Sequence, residues 1–371
     1  MVNQERIINK FIEYVQIDSE TGNEGTFSKR IMEEMKNIGM TVWTDDAGEK
    51  VGSNGNNVYG FLDGDLDIEP ILFSSHMDTV KPGVGIKPMI KDGVIYSSGN
   101  TILASDDKSG INGILEALRT IQENNMSHGP IEVVFTICEE SGMGGSKNLA
   151  YDRIKSKKAF VFDSSGEVGK IIIQAPAQDK IKVKIMGKPA HAGVAPEEGI
   201  SAIQVACEAI TNMRLLRIDE ETTANIGTFN GGKATNIVCP EVEIIAEARS
   251  LNNEKLKEQS NHMVACFKKA AEKYEVELIY EINNMYKAFK IEKNDELVKR
   301  VQNVCSKLGI KSNPTSTGGG SDANIYNEHG IKAINLGTGM TKAHTLEEHI
   351  TIQSLVDISN VALELMLRKK Q

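Results

Sequence analysis

The chain has 371 residues, and its 51 acidic side chains outnumber 42 Lys and Arg, giving a formal net charge of −9. Binding a phosphate backbone draws on clustered basic residues, so this balance argues against nucleic acid as a partner. At about 100–200 residues per domain the length predicts two or three domains, and 40 % hydrophobic with 25 % charged residues is the mixture of a globular protein with a full core.

From the N-terminus, Ile7, Ile8, Phe11, Ile12 and Val15 recur at helical spacing and predict a helix over 3–16. Phe27, Ile31, Met35 and Ile38 predict a second over 24–38, with Gly39 as its stop. Short apolar runs at 57–62, 71–75, 131–138 and 159–162 are bounded by polar or Gly-rich segments and predict buried strands of an α/β sheet. Between the second and third runs, Ile111, Ile114, Leu115, Leu118 and Ile121 share one face of a helix predicted over 108–122. Asp92-Gly93 predicts the turn of a hairpin. Near residue 176 the texture changes. Alternating Ile181, Val183 and Ile185 predict a sheet with one polar face, followed by a helix at 200–216, strands at 224–229 and 241–249, a helix at 253–273 and a strand at 276–282. That β-α-β-β-α-β order is the ferredoxin-like split motif. The α/β texture resumes with a helix at 295–308, a strand at 333–336 and a closing helix at 352–368. The predicted fold is therefore an α/β domain, made of 1–176 and 287–371, interrupted by an α+β ferredoxin-like unit at 177–286.

No stretch approaches the ~18 consecutive apolar residues that span a bilayer, and the first seventeen residues carry acid and amide side chains where a signal peptide is continuously apolar. Cys138, Cys207, Cys239, Cys266 and Cys305 are scattered without a Cys-x-x-Cys pair, which argues against a disulfide scaffold or a thiolate zinc finger. The expectation is a soluble protein of the cytoplasm with no membrane partner.

Five places put metal-competent side chains at the ends of predicted strands or the start of the following helix, where open α/β sheets build their sites. His76 and Asp78 lie two apart in an extended segment, so both can face one way and the acid can hold the second ring nitrogen. Asp106 and Asp107 open an apolar helix, where acids also complement the helix dipole. Glu139 and Glu140 leave a strand in different directions, so one can bind metal while the other serves as a general base. Asp163 ends a further strand, and His344 lies in a polar loop ahead of Glu347 and Glu348. Two imidazoles and three carboxylates without a thiolate suit two divalent ions, Zn²⁺ foremost with Mn²⁺ or Co²⁺ as alternatives, and an odd ligand count implies that one carboxylate is shared.

These residues, in this order, resemble the M20 family of co-catalytic zinc peptidases, and within it the peptidase T-like (tripeptide aminopeptidase) branch. The resemblance runs through SSHMDTV, ASDDKSG, CEESGMGG, VFDSSG, GKPAHAG, GGGSDAN and GTGMTKAHTLEEH, nearly the whole chain. It implies a zinc-exopeptidase-like mixed sheet flanked by helices, with the inserted unit acting as a lid and dimerisation domain. It also implies that His76 and Asp163 hold one zinc, that Glu140 and His344 hold the other, and that Asp106 bridges them with a cis Asp106–Asp107 bond. Glu139 would be the general base and Asp78 would orient His76. His191 would cross a dimer interface to stabilise the oxyanion, while Asn236, Arg249, Gly319 and Gly320 would contact substrate. The implied reaction removes the N-terminal residue of a short peptide; an M20 carboxypeptidase or N-acyl-amino-acid deacylase with the same metal centre is the alternative. One departure is Gly318, where peptidase T carries an Arg, so strict tripeptide specificity is not implied. His128, His262, His329 and His349 match no ligand position and are expected on loops or helix surfaces.

Overall fold

Periodicity and capping set the first elements. α1 (Gln4–Val15) buries Ile7, Phe11, Tyr14 and Val15 along one stripe, and the Asn3 side chain accepts the Arg6 N–H at its start. α2 (Gly25–Asn37) ends as its sequence predicts: Gly39 is left-handed at φ +95°, its N–H reaches the Lys36 carbonyl, and the Met40 N–H reaches that of Met35. The structure is a computed structural model that describes residues 1–65 and 67–367. β1 (Thr41–Thr44), α3 (Ala47–Val51), β2 (Val58–Leu62) and β3 (Ile71–His76) follow. β4 (Pro88–Lys91) and β5 (Val94–Ser97) are joined by left-handed Asp92 and Gly93, the conformation a tight hairpin turn requires. α4 (Ser105–Glu123), β6 (Ile131–Thr136), α5 (Gly144–Lys147), β7 (Lys158–Ser164) and β8 (Lys170–Ala175) complete the first stretch.

The chain then forms β9 (Ala177–Met186), α6 (Ala202–Thr211), β10 (Leu216–Arg217), β11 (Thr222–Gly231), β12 (Glu241–Ser250), α7 (Asn253–Tyr274) and β13 (Glu277–Tyr286). Last come β14 (Phe289–Lys290), α8 (Glu296–Leu308), β15 (Asn313–Ser316), α9 (Asp322–Glu328), β16 (Lys332–Gly337), β17 (His349–Thr351) and α10 (Ile352–Met366). Two compact units result: Met1–Ile173 with Lys290–Ser316 and Ser321–Gln371, and Gln174–Phe289 with Thr317–Gly320.

In the first unit the main sheet runs β1-β2-β6-β3-β7-β16-β8-β14, with β15 paired to β8. The central strands β6, β3, β7 and β16 are parallel, while β1, β2 and β8 are antiparallel to their neighbours. β3 and β6 are buried at every residue, because both faces are covered. α4 packs on β3, β7, α1 and α10 and is buried nearly all round, which is why its apolar stripe is so wide. Parallel central strands send the carboxyl ends of β3, β6, β7 and β16 to one edge of the sheet, and that edge carries the site. This is the predicted mixed sheet flanked by helices.

The second unit is an antiparallel sheet in the order β10-β11-β12-β9-β13. Its four long strands, counted along the chain, lie 2-3-1-4, the split β-α-β order. Alternate residues Ile181, Val183, Ile185, Val242, Ile244 and Ala246 share one core with Val205, Ala206, Met263 and Phe267 from α6 and α7.

Several boundaries differ from the periodic reading. The helix predicted to reach 216 stops at Thr211, where Asn212 caps it, and Leu216–Arg217 instead pair with β11. His349 lies in β17 rather than in a loop or helix. The closing helix ends at Met366; the predicted end at residue 368 lies outside the described residues. Among the described residues, no helix is long and apolar enough to cross a membrane.

Candidate metal centre

β3 ends on His76, whose side chain is 1 % exposed. Its Nδ1 stands 2.9 Å from the Asp78 carbonyl oxygen and 3.5 Å from the Asp78 carboxylate. An Nδ1–H bonded there leaves Nε2 as the atom facing the acids. Nε2 lies 3.0 Å from Asp106 Oδ1 and 3.4 Å from Asp163 Oδ1. Asp106 lies at the kinked start of α4, after left-handed Ala104, and the Asp106–Asp107 peptide is cis. Its second oxygen, Oδ2, is 3.1 Å from His344 Nε2, which in turn is 2.9 Å from Glu140 Oε1. The carboxylate of Asp106 thus divides its two oxygens between two imidazoles, with Asp163 beside one ring and Glu140 beside the other. Ligand atoms of His76, Asp106 and Glu140 all lie within 4.8 Å of one another, as do those of His76, Asp107 and Asp163.

The electrostatics of this cluster ask for a cation. Burial pushes the Asp163 carboxyl up to about 7, with Asp106 adding to the rise, despite the His76 ring beside it. Burial likewise raises Glu140, and nearby Asp106 opposes its ionisation too. The hydrogen bonds to Asp106 and Glu140 lift His344 to about 10. Burial works against a charge on His76, yet Asp163 and Asp106 hold it well above its usual range. Acids outnumber imidazoles, and nothing in the donor set but protonated rings balances them. An imidazole and carboxylate set without thiolate fits borderline to hard divalent ions.

Glu139 sits at the same sheet edge. Its N–H donates to Asp78 Oδ1 at 2.8 Å and the Glu140 N–H donates to Asp78 Oδ2 at 3.2 Å, while Thr21 Oγ1 donates to the same Oδ2 at 2.8 Å. Asp78 therefore serves both the His76 ring and the backbone that carries the two glutamates. Burial, reinforced by Asp163, drives the Glu139 carboxyl well above its usual range.

Four residues support the site in roles that the sequence alone did not assign to them. Glu348 is buried and accepts the N–H groups of Leu103, Ala104 and Asp106 at 2.8–3.0 Å and the Ser105 hydroxyl at 2.5 Å, fixing the loop that carries Asp106. Asn335 exchanges two hydrogen bonds with the Asp163 backbone, at 3.0 and 3.1 Å. Buried Asp107 accepts the Ser75 hydroxyl and the Gly110 N–H. Buried Asp322 accepts the Thr136 hydroxyl at 2.6 Å. Nothing in one sequence separates Glu348 from Glu347, which is exposed and paired with Lys342.

The remaining candidates belong to the second unit. His191 is exposed, and its Nδ1 accepts the Gly193 N–H at 3.2 Å, which leaves Nε2 as the protonated nitrogen of the neutral ring. Exposed Asn236 receives the Ala192 N–H on its carbonyl oxygen, tying the His191 loop to the 234–238 segment. Arg249 places Nε and Nη2 on the two oxygens of Glu247, at 2.9 and 3.0 Å, and Nη1 on the Gly318 carbonyl at 3.3 Å. A Cβ on Gly320 would meet the Tyr286 ring at 2.4 Å, whereas one on Gly319 would meet nothing within 4 Å. The seven residues singled out at 76, 78, 106, 139, 140, 163 and 344 all lie in the first unit.

The profile of peptidase family M20/M25/M40 matches residues 72–368. An uncharacterised Bacillus subtilis (strain 168) protein, YqjE, is 43 % identical with 99 % of each chain covered. Peptidase T of Geobacillus sp. (strain WCH70) is 26 % identical with 97 % of each chain covered. Among solved structures, the aminopeptidase PepT from Bacillus cereus ATCC 10987 is 44 % identical, covers 98 % of each chain and superposes with a TM-score of 0.91. A Staphylococcus aureus tripeptidase is 41 % identical over 99 % of this chain and 98 % of its own, with a TM-score of 0.95.

Proposed function

The chain belongs to peptidase family M20/M25/M40, and from that membership we propose that it is a two-metal aminopeptidase removing the N-terminal residue of short peptides. The observation that carries the reading is the division of Asp106 between His76 and His344, each ring with its own further acid. His76 and Asp163 would hold one ion, His344 and Glu140 the other, and Asp106 both; zinc suits the set, with manganese or cobalt as substitutes. Bound there, two divalent ions would acidify a water and polarise the scissile carbonyl.

The protein's own groups then carry the proton. Glu139 takes it from the attacking water and delivers it to the leaving nitrogen, so that the C–N bond breaks, the water oxygen ends in the new carboxyl group and the shortened peptide departs as an amine. A carboxyl whose affinity for protons is raised by burial suits that carrier role. His191, with its proton on Nε2, would donate to the oxyanion, and Arg249, Asn236 and the Gly319-Gly320 backbone would hold the peptide. The inserted unit would close over substrate and pair two copies of the chain in the cytoplasm. The name of the Bacillus cereus aminopeptidase supports cleavage from the amino end, and that of the Staphylococcus aureus tripeptidase supports a short peptide as substrate.

The test combines metal analysis with hydrolysis of dipeptides, tripeptides and N-acetylated tripeptides. Two metals per chain and cleavage of tripeptides with an unblocked amine are expected. Cleavage confined to acetylated substrates would transfer the protein to the deacylases, and release of the C-terminal residue to the carboxypeptidases. Absence of turnover after zinc, cobalt and manganese reconstitution would remove the peptidase reading.

A further inference from the structure

The segment that leaves β6 carries both glutamates of the proposed site, yet its amides have no strand to pair with. Four consecutive backbone N–H groups instead end on side-chain oxygens from elsewhere in the chain. Ile137 donates to Asn57 Oδ1 at 3.0 Å, Cys138 to Glu24 Oε1 at 3.1 Å, Glu139 to Asp78 Oδ1 and Glu140 to Asp78 Oδ2. Cys138 is left-handed at φ +51°, a conformation that a residue with a Cβ keeps only where its surroundings fix it. Glu24 is fully buried at the start of α2, and its own carboxylate is saturated. Oε1 also accepts the Gly22 N–H at 2.9 Å and the Cys138 S–H at 3.4 Å, while the Ser53 hydroxyl donates to Oε2. Asn57 is equally fixed, donating to Asp45 and to the Gly145 carbonyl.

We propose that Glu24, flanked by Asn57, is a positioning residue: its buried carboxylate holds the left-handed turn at Cys138 and so aims Glu139 and Glu140. The proposal rests on the peptidase reading for its kinetic consequence but not for its structural one. The Glu24 carboxylate bonds to Gly22, Ser53 and Cys138 and to none of the proposed metal ligands, so it would act through the backbone. A misplacement of about 1 Å in a reacting group can lower turnover about a hundredfold. Glu24→Ala is therefore expected to lower kcat by about ten- to a hundredfold with KM nearly unchanged. Glu24→Gln keeps an oxygen for Cys138 and Gly22 and an NH₂ for Ser53, so it should restore most of kcat. Cys138→Ala removes only the thiol contact and should behave like the unaltered protein.

Amide hydrogen exchange decides the structural half without any turnover. In the purified full chain the amides of 137–140 should exchange as slowly as those of β6. Glu24→Ala should accelerate 137–144 at least tenfold while leaving β3 and α10 unchanged. Fast exchange of 137–140 in the unaltered protein overturns the proposal even where Glu24→Ala does not fold. So does Glu24→Ala with unaltered exchange and kcat, or Glu24→Gln as impaired as Glu24→Ala. A protein that cleaves no peptide yet shows the protected turn, loosened by Glu24→Ala, would lose the peptidase reading and keep the clamp.

Discussion

Glu139 and Glu140 are neighbours in sequence with opposite environments. Glu140 stands against a histidine ring, whereas the Glu139 carboxyl has no hydrogen-bond partner among the described residues and is raised by burial and by the acids around it. Glu139→Ala is expected to keep two bound metals and lower kcat by about 10²–10⁴-fold, the usual weight of a general base. Metal analysis alongside turnover checks it, and undiminished turnover would remove Glu139 as the base. A second residue governs stability in acid. Glu34 is buried among Lys10, Arg30 and Arg119. Burial alone would raise its carboxyl, but these three cations hold it below the usual carboxylate range. A depressed folded-state value means that the contribution is complete above the unfolded value, about 4.3, and is lost as pH falls through the depressed one. Glu34→Gln should therefore lower the urea midpoint at pH 7, and the gap to the unaltered protein should narrow below about pH 4.

At the scale of elements, α4 shows how tightly the helices beneath the site are fitted. A Cβ on Gly113 would lie 2.4 Å from Ile358 Cγ2 and 3.3 Å from Ile358 Cβ, on α10. Cγ2 hangs directly from Cβ, so rotation cannot carry the whole branched side chain clear. Alanine favours a helix over glycine by about 1 kcal/mol, but overpacking costs about 1–3 kcal/mol. Gly113→Ala should destabilise the fold in urea unfolding, with Ile358→Ala in the same chain recovering part of the loss.

α4 was readable in the sequence for the same reason it is buried: Ile111, Ile114, Leu115, Leu118 and Ile121 repeat at helical spacing. β3, β6 and β7 were readable as apolar runs, and their ends pointed to His76, Glu139, Glu140 and Asp163. The short strands were not. β1, β14, β15 and β17 span two to four residues, all but Phe289 and Ile350 exposed or only partly buried, and exist because a neighbour offers an edge. The oxygens that hold the site together were equally hidden. Glu24, Asn335 and Glu348 act on backbone amides up to 245 positions away, and only the folded chain reveals which of 51 acids are so engaged.

For the whole molecule, the crowded carboxylates link metal binding to stability. Stripping the protein with EDTA should abolish hydrolysis and lower Tm by several degrees, because ligands that bind only the folded state stabilise it. Zinc should restore both, and Glu139→Ala should show the same thermal shift, since the proposed base is not among the proposed ligands. The proposed pairing of two copies is checked by gel filtration: a dimer is expected, and a fully active monomer would end the cross-subunit role of His191.

The position of β16 has a consequence for synthesis. Residues 332–337 slot between β7 and β8, pairing parallel with one and antiparallel with the other. A ribosome makes both of those neighbours more than 150 residues before the strand that separates them. Until then each presents an open edge, the kind of template on which chains aggregate. The second unit, meanwhile, has its whole sheet within a single run from β9 to β13 and can be finished first. The nascent chain thus carries a completed insert while its main sheet waits for its tail, and His344 is added only after that sheet can close. Full occupancy of the proposed metal pair then becomes a late checkpoint, out of reach of any product that stops short of residue 344.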